Sequence, residues 1–183
     1  SISKRSKLSI DLSAIAKGYA VDKVSEYLAN FNIRNYMVEI GGEVRVGGLN
    51  VNSNKWKIGV QYPSYKMDDN KRAYSDINPH TMLKVSDISI ATSGDYRNYF
   101  DFNGRRYSHI ISPKTGYPVE NNIISVSVLT EKCLNADALA TALMVMDIED
   151  GINLVEDLDG YESFFILDDN TIRMSSGANR FLD

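Results

Sequence analysis

A single cysteine, Cys133, stands in this chain of 183 residues, so no intramolecular disulfide framework exists. The fold must rest on buried apolar surface instead, and a domain of this length buries about two-thirds of what its unfolded chain exposes. Cys133 lies among apolar residues near a helix start, which reads as a buried structural thiol rather than a reactive one. Basic clusters are also missing. Lys and Arg number 20 against 24 Asp and Glu, the net charge is −4, and the nearest thing to a basic run is Lys4, Arg5 and Lys7, a solvated stretch. Nucleic acid is therefore excluded as the main partner, because phosphate neutralisation needs clustered cations. No apolar run approaches the roughly 18 residues of a membrane-spanning helix. No signal peptide is present either, but the chain starts at Ser1 and not Met, so that absence carries no inference. Histidine is scarce: only His80 and His109 offer an imidazole that titrates near neutral pH.

What remains is ordinary globular composition, 43% hydrophobic and 24% charged, fitting one domain over residues 1–183. Residues 7–12 alternate and read as a strand. From Ser13, a possible cap, to Phe31 the apolar residues Ile15, Ala16, Tyr19, Ala20, Val24, Tyr27, Leu28 and Phe31 recur at helical spacing. Residues 35–40 form a strand running into Gly41-Gly42, and 43–48 and 55–61 read as strands around a turn at 50–54. The polar segment 63–80 lacks periodicity and reads as a surface loop. One or two strands follow over 82–92. Asn103-Gly104 marks a hairpin between 96–102 and 105–111. Residues 122–130 alternate as a strand, 133–146 and 149–158 read as helices, and 160–174 as a closing hairpin turning at 168–170. The class expected is α+β, a mostly antiparallel sheet with packed helices.

Four segments hold chemistry-bearing residues. Asp137 and Thr141 lie four apart and share one helix face, where a carboxylate and a hydroxyl make an oxygen edge for a hard cation. Taken alone, the same pair is also explained by dipole electrostatics in a first helical turn and by a hydroxyl bonding back to a carbonyl. Asp11 to Gly18 spans a strand-to-helix junction, where unpaired N–H groups and Lys17 favour an anion such as phosphate. A capped turn with an exposed lysine is the plainer alternative. His109 precedes a Pro-Gly-Pro punctuated turn and is placed for general acid–base work or a structural role. Thr92, Ser93, Gly94 and Asp95 read as a polar turn able to line a pocket.

Together these segments are more specific than any one. DLSAIAKGYAVDKV, GGEV followed by WKIGV, IATSGDYRNYF, YSHIISPKTGYPVENN and NADALATALMVM resemble, in order and content, the flavin transferase family known as ApbE. The resemblance implies a T-fold-like architecture, FAD as substrate, Mg²⁺ as cofactor, and transfer of FMN to a Ser or Thr hydroxyl of an acceptor protein with release of AMP. Carried over by residue, it assigns Asp11, Lys17 and Ile111 to FAD contacts, with Thr92 to Asp95 lining the same cleft. It gives the main-chain oxygen of Ala14, together with Asp137 and Thr141, to the metal, and a catalytic part to His109. Two rivals stand beside this: an FAD pyrophosphatase using water, and a flavin-binding module without catalysis.

Two departures from the family pattern are expected to matter. Ser112 stands where an Asp usually follows His-Ile-Ile, which removes a carboxylate near His109. Full-length members also carry an amino-terminal region that helps hold the flavin and often begins with a lipidated Cys. The chain therefore matches the carboxy-terminal portion, and the resemblance places such proteins, often membrane-anchored, on the outer (periplasmic) face of the bacterial cytoplasmic membrane. Finally, Ser175 to Asn179 faintly matches the acceptor motif of these enzymes, but Asn179 stands where a hydroxyl is needed, and the segment reads as a turn.

Overall fold

The apolar run beginning at Ile123 is the spine of the molecule. The computed structural model describes residues 3, 5, 7, 9–61, 65–68, 71–74, 79–94, 99–102, 105–108, 110–119 and 121–183, and in it Ile123–Thr130 is one strand with every residue buried. A strand buried on both faces must be covered on both. In chain order the elements are α1 (Ser13–Asn30), β1 (Tyr36–Ile40), β2 (Glu43–Gly47), β3 (Trp56–Gln61), β4 (Tyr65–Asp68), β5 (Lys71–Tyr74), β6 (Pro79–Val85), β7 (Ile88–Gly94), β8 (Tyr99–Phe102), β9 (Arg105–Ser108), β10 (Ile123–Thr130), α2 (Cys133–Leu143), α3 (Ile148–Glu156), β11 (Glu162–Leu167), β12 (Ile172–Met174) and a short 3₁₀ turn, η1 (Ala178–Phe181).

Six strands form an antiparallel sheet in the order β1-β2-β7-β10-β11-β12. The helices cover one face: α1 lies on β1 and β2, α2 on β7 and β10, and α3 on β11. The antiparallel β3–β6 ribbon and η1 cover the other. Three apolar clusters result, the smallest being Val21, Val38 and Cys133 beneath α1. Val44, Leu83, Val85, Leu129 and Phe164 pack on the ribbon side, and Val126, Val128, Ala136, Leu143 and Phe165 on the helix side. The α+β class and antiparallel sheet agree with the sequence. No helix among the described residues is long and apolar enough to cross a membrane.

Gly41 and Gly42 turn the chain from β1 into β2. Ile40 pairs with Glu43 across Gly41 and Gly42, whose φ values of 64° and 104° suit residues without a Cβ. Phe102 pairs with Arg105, the register a hairpin at 103–104 requires, though Asn103 and Gly104 lie outside the described residues.

Three local readings are corrected. No strand pairing among the described residues engages 7–12, and Ile10 and Leu12 are 56% and 58% exposed. Alternation names a face, but only a ladder partner makes a strand. Ser13 is the first helical residue and not the cap; Asp11 Oδ1 accepts its N–H at 2.7 Å and its hydroxyl as well. Within the expected loop 63–80 lies the β4–β5 ribbon, whose short strands gave no periodic signal. The face of α1 is a further surprise. Gly18, Val21, Asp22 and Ser25 are buried, while Tyr19, Val24, Tyr27 and Phe31 of the apolar stripe are exposed. The inward face meets α2 at Gly18 too closely for a bulky side chain.

Candidate active site

Helix α1 crosses α2 at Gly18. A Cβ there would lie 2.4 Å from the Cys133 carbonyl oxygen and 2.8 Å from Asp137 Cβ, so the approach tolerates only glycine. The Gly18 N–H donates to Asp137 Oδ2 at 2.9 Å. Regular helical geometry would assign that N–H to the Ala14 carbonyl, so the carboxylate competes for the donor that otherwise occupies this oxygen. One turn on, Asp22 accepts the Cys133 and Leu134 N–H groups at 3.0 Å each and pairs with Arg45 at 2.6 Å. Lys132, at the cap position of α2, offers no side-chain bond, so Asp22 supplies the cap from another helix. Asp137 thus sits in the second turn of α2, beyond the first-turn dipole position, and the first turn holds no acid. Cys133 is fully buried, and desolvation pushes its thiol up to about 12, which fits the structural role read from sequence.

Between α1, α2 and the end of β7 opens a cleft of about 1140 Å³. Its walls bring together Asp11 just before α1, Ala14 and Lys17 from its first turns, Asp137 and Thr141 from α2, Ser93 and Gly94 from β7, and Ile111 from the segment after β9. These are residues the sequence singled out from four separate segments. Thr92 borders the cleft too, but its hydroxyl bonds to Ser127 Oγ at 2.8 Å across the β7–β10 pair. Thr92 to Gly94 form the end of a strand rather than a turn, because they pair with Ser125 to Ser127 of β10. Asp95 and His109 lie outside the described residues, as does His80 as a side chain. Ser112 borders a neighbouring groove of about 620 Å³, in a tight loop closed by the Ser112–Tyr117 and Gly116–Ser112 backbone bonds.

Charge in the cleft is unevenly satisfied. Asp137 is 3% exposed; burial raises its carboxyl above the usual range, with the Gly18 N–H and Lys17 pulling the other way. Lys17 Nζ pairs with Glu43 Oε1 at 2.5 Å. Burial raises Glu43 too, Lys17 opposes this, and the nearby Asp137 charge adds to it. Asp11 is exposed, and the Ser13 bonds hold it below the usual carboxylate range.

A divalent hard cation fits this donor set. The Asp137 carboxylate, the Thr141 hydroxyl, which shares a 3.1 Å hydrogen bond with Ser93 Oγ, and Ala14 border one cleft. Among the described residues no group of three His, Cys, Asp or Glu gathers to hold a metal. One carboxylate with neutral oxygens suits Mg²⁺, which keeps positions for water and phosphate. A buried carboxylate with a raised pKa is short of positive charge, and a cation would supply it.

Sequence reasoning missed Gly18, Asp22 and Glu43. A glycine inside a helical pattern was a usable signal, since it costs helix stability without a packing reason. Asp22 and Glu43 carried none, because their partners are distant in sequence.

The sheet, the crossed helices and a cleft bordered by Lys17, the carboxylates of Asp11 and Asp137 and the Thr141 hydroxyl define an α+β protein with one polar cleft at the start of α1. The sequence model described as the ApbE family matches residues 1–165, and the chain belongs to that family. It is 50% identical over 150 residues to a Vibrio cholerae protein named FAD:protein FMN transferase, covering 82% of this chain and 42% of that one. The solved structure of flavin transferase ApbE from Vibrio cholerae superposes with a TM-score of 0.76 at 43% identity, over 94% of this chain and 52% of that one. The ApbE protein from Thermotoga maritima superposes at 0.80 and 34% identity, over 95% and 53%. The chain therefore spans about half the length of the relatives it matches.

Proposed function

We propose that, in the whole protein, this cleft binds FAD and transfers its FMN portion to a Ser or Thr hydroxyl of an acceptor protein, with AMP leaving. The observation that carries the reading is the convergence of Asp11, Ala14 and Lys17 with Asp137 and Thr141 around one cleft. The names of the relatives support a flavin substrate and a protein acceptor.

The residues supply three things. Lys17 and the positive end of the α1 dipole offset charge on the pyrophosphate. Asp137, Thr141 and the Ala14 carbonyl oxygen would hold Mg²⁺, which neutralises charge as the phosphoanhydride is cleaved. Asp11 and Ile111, at the mouth, contact and orient the dinucleotide. In the transfer, the acceptor oxygen bonds to the phosphorus on the riboflavin side. The bridging P–O bond breaks and its electron pair leaves with AMP. The hydroxyl proton passes to a base, and His109 is our assignment for it from the family pattern.

The test is AMP release from FAD with Mg²⁺ and with EDTA, together with the mass of an acceptor protein. Mg²⁺-dependent AMP with an acceptor heavier by FMN supports transfer. AMP without a mass gain identifies a pyrophosphatase, and FAD binding without AMP a non-catalytic flavin module.

A further inference from the structure

Glu43 opens β2 directly after the Gly41-Gly42 turn and is among the largest fully buried side chains. Its Oε1 meets Lys17 Nζ at 2.5 Å, while Oε2 has no hydrogen-bond partner among the described residues. A buried carboxylate with a bare oxygen is expensive, and a position serving packing alone would be better filled by an apolar residue. The surroundings are shaped for the pair. A Cβ on Gly41 would lie 3.1 Å from Lys17 Cδ and 3.7 Å from Glu43 Oε2, so the lysine stem passes over the bare glycine on its way to the carboxylate. The Lys17 side chain remains 45% exposed and borders the cleft, whereas Glu43 is hidden behind it. Lys17 is also the cation that acts on Asp137, so one ammonium serves two buried carboxylates.

We propose that Glu43 is a positioning residue that fixes the Lys17 ammonium at the cleft wall beside Asp137, where substrate phosphate charge is handled. The inference rests on the FAD reading above. A free lysine head has many rotamers, and holding it in place before substrate arrives moves that ordering cost from the reaction into folding. The Glu43 charge opposes an incoming anion, so its benefit lies in the transition state rather than in ground-state binding.

The experiment is Glu43→Gln, alone and combined with Lys17→Met, in the protein at its natural full length. AMP release gives kcat, flavin fluorescence gives Kd for FAD, and thermal melting reports folding. For Glu43→Gln, kcat should fall about tenfold or more, while Kd should stay within about threefold of wild type or tighten. The melting temperature should hold, because Glu43→Gln removes a charge that burial disfavours and leaves a lysine, 45% exposed, that water can solvate. In the Lys17→Met background, adding Glu43→Gln should change kcat by less than about twofold. The proposal is overturned if Glu43→Gln keeps kcat, if the two losses multiply, or if the variant melts far below wild type with weakened FAD binding. A wild-type protein that binds no FAD and releases no AMP would overturn the flavin reading and this role together. An active wild type with an unaffected Glu43→Gln variant would overturn only this role.

Discussion

One face of α2 sets Ala136, Ala140 and Leu143 against Val126, Val128 and Phe165, all fully buried and all apolar. The adjoining face turns Asp137 and Thr141 toward α1 and the cleft. The first face removes hydrocarbon from water and holds the helix to the sheet. The second gathers carboxylates that burial disfavours, Asp137 directly and Glu43 behind Lys17. Placing both on one helix makes the stable face a rigid mount for the unstable one. The Asp22 cap ties that mount to α1, so the two halves of the site cannot drift independently.

The largest effect should come from the polar face. Asp137→Ala in the whole protein should lower Mg²⁺-dependent AMP release by about a hundredfold or more while leaving the chain folded by circular dichroism. Full activity in that variant would end the metal assignment. The apolar face should answer in the opposite currency. Phe165→Ala should destabilise by about 3–5 kcal/mol in denaturant unfolding, with kcat per folded molecule unchanged. A catalytic defect there would show that the faces are not separable.

At the seam, both readouts should move. Gly18→Ala forces a methyl against the Cys133 carbonyl, so α1 and α2 must part. Stability should drop by about 1–3 kcal/mol, and FAD turnover should fall with it. An unaltered variant would mean that the helix contact is looser than described.

The smallest effect concerns pH. The folded pKa of Asp137 lies above its ordinary 3.8. Its contribution to stability is therefore fully present below that value and is lost as pH rises through the folded pKa. At neutral pH without divalent cation the burial of this carboxylate costs stability, so Asp137→Asn should melt higher than wild type in EDTA. The advantage should vanish in acid. A lower melting point for the Asn variant at neutral pH would show that its bonds outweigh desolvation.

Much of this was legible in sequence where the signal is local. Gly41-Gly42 announced a turn because few other residues accept those φ values, and α2 announced itself by its spacing. The site residues emerged from Asp11, Lys17, Asp137 and Thr141 in company, through resemblance more than from spacing alone. What stayed hidden depends on distant partners. The apolar stripe of α1 pointed to a helix correctly and to its buried face wrongly, since contact at Gly18 selected the small and polar side. Asp22 reaches a helix 111 positions away, and Glu43 stood only as the first residue of an expected strand.

The central claim is that the start of α1 and the polar face of α2 form one site for a dinucleotide phosphate and a divalent cation. A crystal structure of the whole protein with FAD and Mg²⁺ tests it most directly. The pyrophosphate should lie against Lys17 and the amino-terminal end of α1, with the ion on Asp137, Thr141 and the Ala14 carbonyl oxygen. FAD bound away from α1, or an ion held by other residues, would contradict it.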